Sequence, residues 1–264
     1  MKIAIIGTGN LGSSIAKGLI KNKSFASLYL SDKNTAAVNS FKEDPNVTVT
    51  NDNFLAVENS DMVIFALQPK HIDKVLESVA SKITDKHIVI SVAAGVEIAR
   101  IESIIGNDKN IIRVMPNTAI SIGKSMTCIA ANAKAQDKVE LAQNVFNQLG
   151  TTLVIPEDLI QAATVICASG IAFWMRLVRA TTQGAIQLGF EAHEAHQLAL
   201  QTCYGAASLL KESGRHPEEE IDRVTTPSGC TIEGLNEMEH QGLSSSLIKG
   251  INASFEKINQ LKKN

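Results

Sequence analysis

Short β-branched apolar runs alternate with longer mixed segments through the first half of the chain. Residues 2–6 (KIAII), 27–30 (SLYL), 62–66 (MVIFA), 87–91 (HIVIS) and 111–115 (IIRVM) are each too short for a helix and give way to Gly, Pro or Asp. Each reads as a buried strand. Between them, segments such as 12–22 and 72–82 repeat apolar residues at helical spacing. This βαβαβ order predicts an α/β fold with a doubly wound parallel sheet and right-handed crossovers, in which ligands bind at the carboxyl ends of the strands.

Beyond about Pro156 the β-branched runs stop. Segments 158–188, 192–211, 231–238 and 244–261 read as helices, broken by Gly189, by Gly214 with Pro217, and by Pro227 with Gly229. In the last of them Leu247, Ile251, Phe255 and Ile258 form one apolar stripe. The expected boundaries are therefore 1–155 for the α/β domain and 156–264 for an all-helical domain. So much Ala- and Leu-rich helix cannot cover its apolar faces within one chain, which predicts a dimerisation domain.

Charge and composition narrow the function. The 25 basic and 27 acidic residues leave a net charge of −2, without the basic excess of a nucleic-acid-binding domain. Aromatic residues make up only 4%, so the core must be built from Ala, Ile, Leu and Val, as where helices pack on a parallel sheet. Cys128, Cys167, Cys203 and Cys230 have no metal-like spacing. Free thiols in a reducing cytoplasm are expected, and the start MKIAIIG does not read as a signal peptide. No apolar run approaches the roughly 18 to 20 residues that span a bilayer, so no membrane partner is expected.

Candidate chemistry begins at the first turn. Strand KIAII runs into Gly7-Thr8-Gly9-Asn10-Leu11-Gly12 and then an apolar-periodic helix. A GxGxxG in that setting is a dinucleotide fingerprint of Rossmann type: Gly7 for the tight turn, Gly9 for close approach of a pyrophosphate, Gly12 for packing helix on strand. The pyrophosphate would sit on the helix N-terminus. The second strand ends in Ser31-Asp32-Lys33. Asp32 could accept from a ribose 2′-hydroxyl, as NAD requires, whereas Lys33 and Ser31 could hold the 2′-phosphate of NADP. In the helical half, Thr225-Thr226-Pro227-Ser228-Gly229-Cys230-Thr231 is a polar turn opening onto a helix. Its free N–H groups make an anion site suited to a carboxylate.

Several motifs occur in one order: GTGNLG at Gly7, ALQPKHI at Ala66, SVAAGV at Ser91, RVMPNTA at Arg113, PEDLI at Pro156, ASGIAF at Ala168 and VTTPSGCTIEGL at Val224. In this combination the chain resembles pyrroline-5-carboxylate reductase over essentially its whole length. The resemblance implies reduction of a cyclic imine, 1-pyrroline-5-carboxylate, to L-proline in the cytoplasm, by NADPH with NADH as the alternative. It also implies a homodimer through interleaved helical domains, with decamers in some members. Carried over residue by residue, Ala66, Leu67, Gln68 and Pro69 would run along the cofactor and Asn53 would meet the adenosine ribose. Ala93, Ala94 and Gly95 would lie beside the nicotinamide, with Asn117 at the same end. Thr226 and the backbone at Cys230 and Thr231 would hold the substrate carboxylate, within a turn shaped by Ser228 and Gly229. The Thr231 hydroxyl would hydrogen-bond the ring nitrogen as the catalytic group.

The chain departs from the family pattern at Ser228, where a glycine is usual, and at Ile171 and Phe173, where proline and tyrosine are usual. These departures leave open a diverged paralogue acting on another small imine or β-hydroxy acid, or a silent nucleotide sensor. Other residues point elsewhere. His193 and His196 have helical spacing but no metal-binding companions, so no metal site is expected. Cys230 reads as a small filler, His71 as a surface residue, and Trp174 and Met175 as core or dimer contacts. Lys211, Lys249 and Lys257 lack the surroundings of a catalytic lysine.

Overall fold

Alternation along the first strand decides which face each side chain takes. In β1 (Lys2–Ile6) Ile3 and Ile5 join one apolar cluster while Ala4 and Ile6 join a second, as the two-residue period of a strand covered on both faces requires. The computed structural model describes residues 1–262, in the order β1, α1 (Asn10–Asn22), β2 (Ser27–Ser31), β3 (Val47–Thr50), α2 (Asn53–Glu58), β4 (Met62–Phe65), α3 (Pro69–Val79), β5 (Ile88–Ser91), α4 (Ile98–Ile105), β6 (Asn110–Met115), β7 (Ser125–Ala131), α5 (Val139–Phe146) and β8 (Gly150–Val154). Next come α6 (Ile160–Ala163), a π turn (Thr164–Ser169), α7 (Gly170–Gln187), α8 (Ala192–Ser213), α9 (Pro217–Val224), α10 (Cys230–His240) and α11 (Leu243–Lys262).

The strands form a single sheet in the order β3-β2-β1-β4-β5-β6-β7-β8. Every pair from β3 to β6 is parallel, β7 runs antiparallel to β6, and β8 is parallel to β7. The reversal at β7 follows from its short connection, 116–124, which leaves no room for the helical crossover that a parallel neighbour needs. Strands β3, β7 and β8 carry weak sequence signals. VTVT is partly exposed at the sheet edge, SMTCIAA is rich in small residues, and GTTLV opens on a glycine. The doubly wound, mainly parallel architecture is as the alternation predicts.

Contacts divide the chain into two compact units, Met1–Ala168 and Ser169–Leu261. The composition change at Pro156 comes earlier, because the helical residues just after it still pack on the sheet: fully buried Ile160 clusters with Met115, Cys128 and Ala130. In the second unit α7 and α8 lie against each other, and capping is explicit. Glu191 and Glu194 form a capping box at the start of α8, and Gly214 closes it in the left-handed conformation.

One sequence expectation needs correction. The helical run Glu157–Gln187 is long and apolar enough to cross a membrane by length and composition, and no second such helix occurs among the described residues. Gln161, Thr164, Ser169 and Gly170 interrupt its apolar residues, so no continuous apolar stretch betrays it. Trp174 and Met175, within this run, are 62% and 64% exposed. They are not core residues of the chain.

Candidate active site

Parallel register brings the loops of the first unit to one edge. Ile6 pairs with Ser31 on one side and Phe65 on the other, Phe65 pairs with Ser91, and Ser91 with Arg113. The segments that follow these residues, Gly7–Gly12, Asp32–Lys33, Ala66–Pro69, Ala93–Gly95 and Asn117, therefore leave the sheet on the same side. Strand order reverses between β1 and β4, the switch point at which doubly wound sheets open a crevice.

The glycine turn sits at that point. Gly7 has φ +95, and a Cβ there would lie 2.5 Å from the Ala66 carbonyl oxygen. At Gly12 a Cβ would come within 1.9 Å of the Gly7 oxygen and 3.2 Å of the Ala66 Cβ. Both positions exclude a side chain for reasons internal to the fold. Gly9 differs, because a Cβ there would meet nothing within 4 Å, so the space beside it is free for a ligand. Gly9 also caps α1 without a side-chain hydrogen bond, which leaves the first amides of the helix available to an anion. Asn10 is exposed and Leu11 half-buried beside it. Thr8 is buried, and its Oγ1 has no hydrogen-bond partner. An open cradle with an unsatisfied hydroxyl fits a dinucleotide pyrophosphate.

Around the turn, polar side chains hold one another. The Thr8 N–H donates to Asp32 Oδ2 at 2.6 Å and the Asn34 N–H to Asp32 Oδ1 at 3.0 Å. Asp32 thus ties the end of β2 to the glycine turn through Oδ2 and braces its own loop through Oδ1. Ser31 is fully buried and its hydroxyl donates to Asn53 Oδ1 at 2.7 Å, while Lys33 is exposed. Along the edge, Gln68 and Pro69 are exposed at the start of α3, with Ala66 and Leu67 half-buried behind them. Ala93 is buried, and Ala94 and Gly95 are exposed. Asn117 is buried, its Oδ1 accepting from Ala119 N–H and its Nδ2 donating to the Cys167 carbonyl, each at 3.0 Å.

The second constellation lies in the helical unit, between α9 and α10. The Gly229 N–H donates to the Thr226 carbonyl at 2.9 Å, closing a turn. A Cβ on Gly229 would lie 2.4 Å from Thr226 Oγ1, so the two residues must be in close contact. Ser228 has φ +56, a left-handed conformation that favours glycine. Gly229 caps α10 without a side-chain bond, so the amides at Cys230 and Thr231 open toward any anion seated there. Thr226, Ser228 and Cys230 are exposed and Thr231 is half-buried.

Two constellations escaped the sequence reading. Arg113, 3% exposed in β6, donates from Nη1 to Glu157 Oε1 at 3.1 Å, and the same oxygen accepts from Ile98 N–H at 2.7 Å. An arginine inside an otherwise apolar strand was the available signal, since buried charge needs a partner. Cys167 also packs on the apolar cluster that holds Cys128. Nothing in their spacing predicts it.

The fold and the glycine turn define a Rossmann-type protein equipped to hold a dinucleotide. A family profile described as pyrroline-5-carboxylate reductase dimerisation matches residues 157–261, and one described as NADP oxidoreductase, coenzyme F420-dependent, matches residues 2–95. Pyrroline-5-carboxylate reductase 2 of Dictyostelium discoideum is 39% identical over 97% of this chain and 91% of its own length. Pyrroline-5-carboxylate reductase 1 of the same organism is 44% identical over 97% of this chain, which spans only 49% of that longer relative. Among solved structures, a pyrroline-5-carboxylate reductase of Coxiella burnetii superposes with a TM-score of 0.94 at 30% identity, covering 98% of this chain and 97% of that one. The chain belongs to the pyrroline-5-carboxylate reductase family. It is an oxidoreductase of the nicotinamide-nucleotide class, and its helical unit is the family's dimerisation region.

Proposed function

We propose that this chain reduces 1-pyrroline-5-carboxylate to L-proline in the cytoplasm, as a dimer joined through the helical unit, with higher assembly into a decamer open to it. One observation carries the reading: a single chain holds both an open glycine cradle at a switch point and an uncapped helix N-terminus at Gly229. The first suits a pyrophosphate and the second a small carboxylate. A bound nicotinamide supplies the hydride.

The chain's residues bind and orient. Amides from Gly9 through Gly12 hold the pyrophosphate in the turn that Gly7 opens, Asp32 keeps that turn in place through Thr8, and Ser31 fixes Asn53 toward the ribose. Ala66 to Pro69, Ala93 to Gly95 and Asn117 flank the rest of the dinucleotide. Thr226 and the amides of Cys230 and Thr231 hold the carboxylate, while Ser228 and Gly229 set the shape of the turn. The Thr231 hydroxyl hydrogen-bonds the ring nitrogen, its oxygen accepting from the N–H of the protonated imine. A strong acid is unnecessary because the protonated imine is already electrophilic, and positioning alone can supply roughly 7 to 11 kcal/mol in good cases. NADPH is the preferred donor in this reading, since Asp32 is committed to two amides and leaves exposed Lys33 as the charged group beside the ribose.

Steady-state rates with the pyrroline substrate and each nicotinamide nucleotide test the proposal. Turnover with NADPH at low cofactor should fall in Lys33→Ala while the NADH rate holds. Absence of turnover with both nucleotides overturns it.

A further inference from the structure

Helix α4 opens where the Ala93–Gly95 loop ends, and its N-cap residue, Glu97, gives it no side-chain cap. The cap comes from a residue far along the chain. Glu157 Oε1 accepts from the Ile98 N–H at 2.7 Å and from Arg113 Nη1 at 3.1 Å. Arg113 is 3% exposed, and its Nη2 is buried with no hydrogen-bond partner. A buried guanidinium already short of one bond cannot readily give up another, so the carboxylate between it and the helix is held in place. All three residues lie in the first unit.

The loop's own bonds are weaker. The Ala93 N–H donates to Ser91 Oγ at 3.3 Å, and the Val96 N–H to the Ala93 carbonyl at 3.4 Å. Ala93 and Val96 are buried, whereas Ala94 and Gly95 at the tip are exposed and Gly95 has φ +76. Against these two long neutral bonds, the one to Glu157 is short and charge-assisted, of a kind roughly twice as strong. It is the firmest polar tie at the end of the loop.

We propose that Glu157 is a positioning residue for hydride transfer: its carboxylate, clamped by Arg113, sets the start of α4 and through it the loop Ala93–Gly95 beside the nicotinamide. The inference rests on the proposed reading of that loop. A misplacement of about 1 Å can cost roughly a hundredfold in rate, whereas affinity in this reading comes chiefly from the phosphate cradle. The clamp therefore acts on kcat more than on KM.

Two substitutions separate reach from charge. Glu157→Gln keeps an oxygen at the same reach and loses the charge, while Glu157→Asp keeps the charge on a side chain one methylene too short to serve Ile98 and Arg113 together. With NADPH and the pyrroline substrate, Glu157→Asp should lower kcat about tenfold with KM for NADPH within about twofold. Glu157→Gln should keep kcat within about twofold although its urea midpoint falls. Hydrogen exchange of the 92–98 amides should quicken in Glu157→Asp and stay parental in Glu157→Gln. A purely structural ion pair gives the reverse order, with kcat following the urea midpoint, and that result overturns the proposal. So does parental exchange in Glu157→Asp, which decides alone if Glu157→Gln fails to fold. Absence of turnover in the parent chain removes the cofactor reading and this inference together, whereas an active parent with parental kcat in Glu157→Asp removes this inference alone.

Discussion

In the sheet unit β4, β5 and β6 bury every residue, whereas α9 and α10 of the helical unit bury none. The contrast is not one of composition, because both units are rich in aliphatic residues. A central parallel strand is covered on two faces by its own crossover helices, so the chain completes that core by itself. Helices α7 and α8 shield only a few small residues, among them Gly170, Thr182, Ala195 and Ala199. Trp174, Met175 and Leu188, the last 83% exposed, stay in water. One unit is a finished core, and the other is half of one, as a dimerisation region should be.

Charging the unfinished half should have the largest effect. Trp174→Glu with Met175→Glu would place two unpaired charges in the proposed dimer interface, weakening association by roughly 6 to 10 kcal/mol. Sedimentation should then find monomer where the parent chain is dimer, and an unchanged mass would deny these residues an interface role. Within the finished core, Glu157→Ala leaves the buried Arg113 guanidinium without its partner. Urea unfolding should report a loss of about 3 to 5 kcal/mol. A loss below about 1 kcal/mol would mean that the pair behaves as a surface salt bridge.

Smaller effects separate stability from chemistry. Gly9→Ala meets no neighbour, so thermal unfolding should be unchanged while NADPH affinity drops about tenfold or more, near 1.4 kcal/mol. Equal affinity would remove the cradle. Thr231→Ala should lower kcat/KM by about tenfold with cofactor binding intact. The smallest change is expected at Ser228→Gly, which relieves a left-handed serine and should raise stability by up to about 1 kcal/mol. A destabilised variant would show that the serine side chain contributes more than its strain removes.

Much of this was legible before folding. Five of the eight strands, the glycine turn and the helix opening near Thr231 follow from local patterns, because periodicity and turn chemistry act over a few residues. The roles taken by Ser31 and Asp32 were not legible in that way. Their neighbours suggest a ribose contact, yet in the fold the Ser31 hydroxyl turns inward to Asn53 and Asp32 clasps the Thr8 amide. Both bonds join residues more than twenty positions apart, a separation across which no pattern in one sequence can be read.

By itself, then, the amino-acid order determined the α/β alternation, the phosphate cradle, the family and an unfinished helical half, since each depends on residue type and short-range spacing. Only the tertiary structure decided that β7 runs backward, that Arg113 meets Glu157, and that Cys167 packs on the cluster around Cys128. Those outcomes rest on packing between segments distant in the chain, where geometry and burial, rather than local preference, choose the partner.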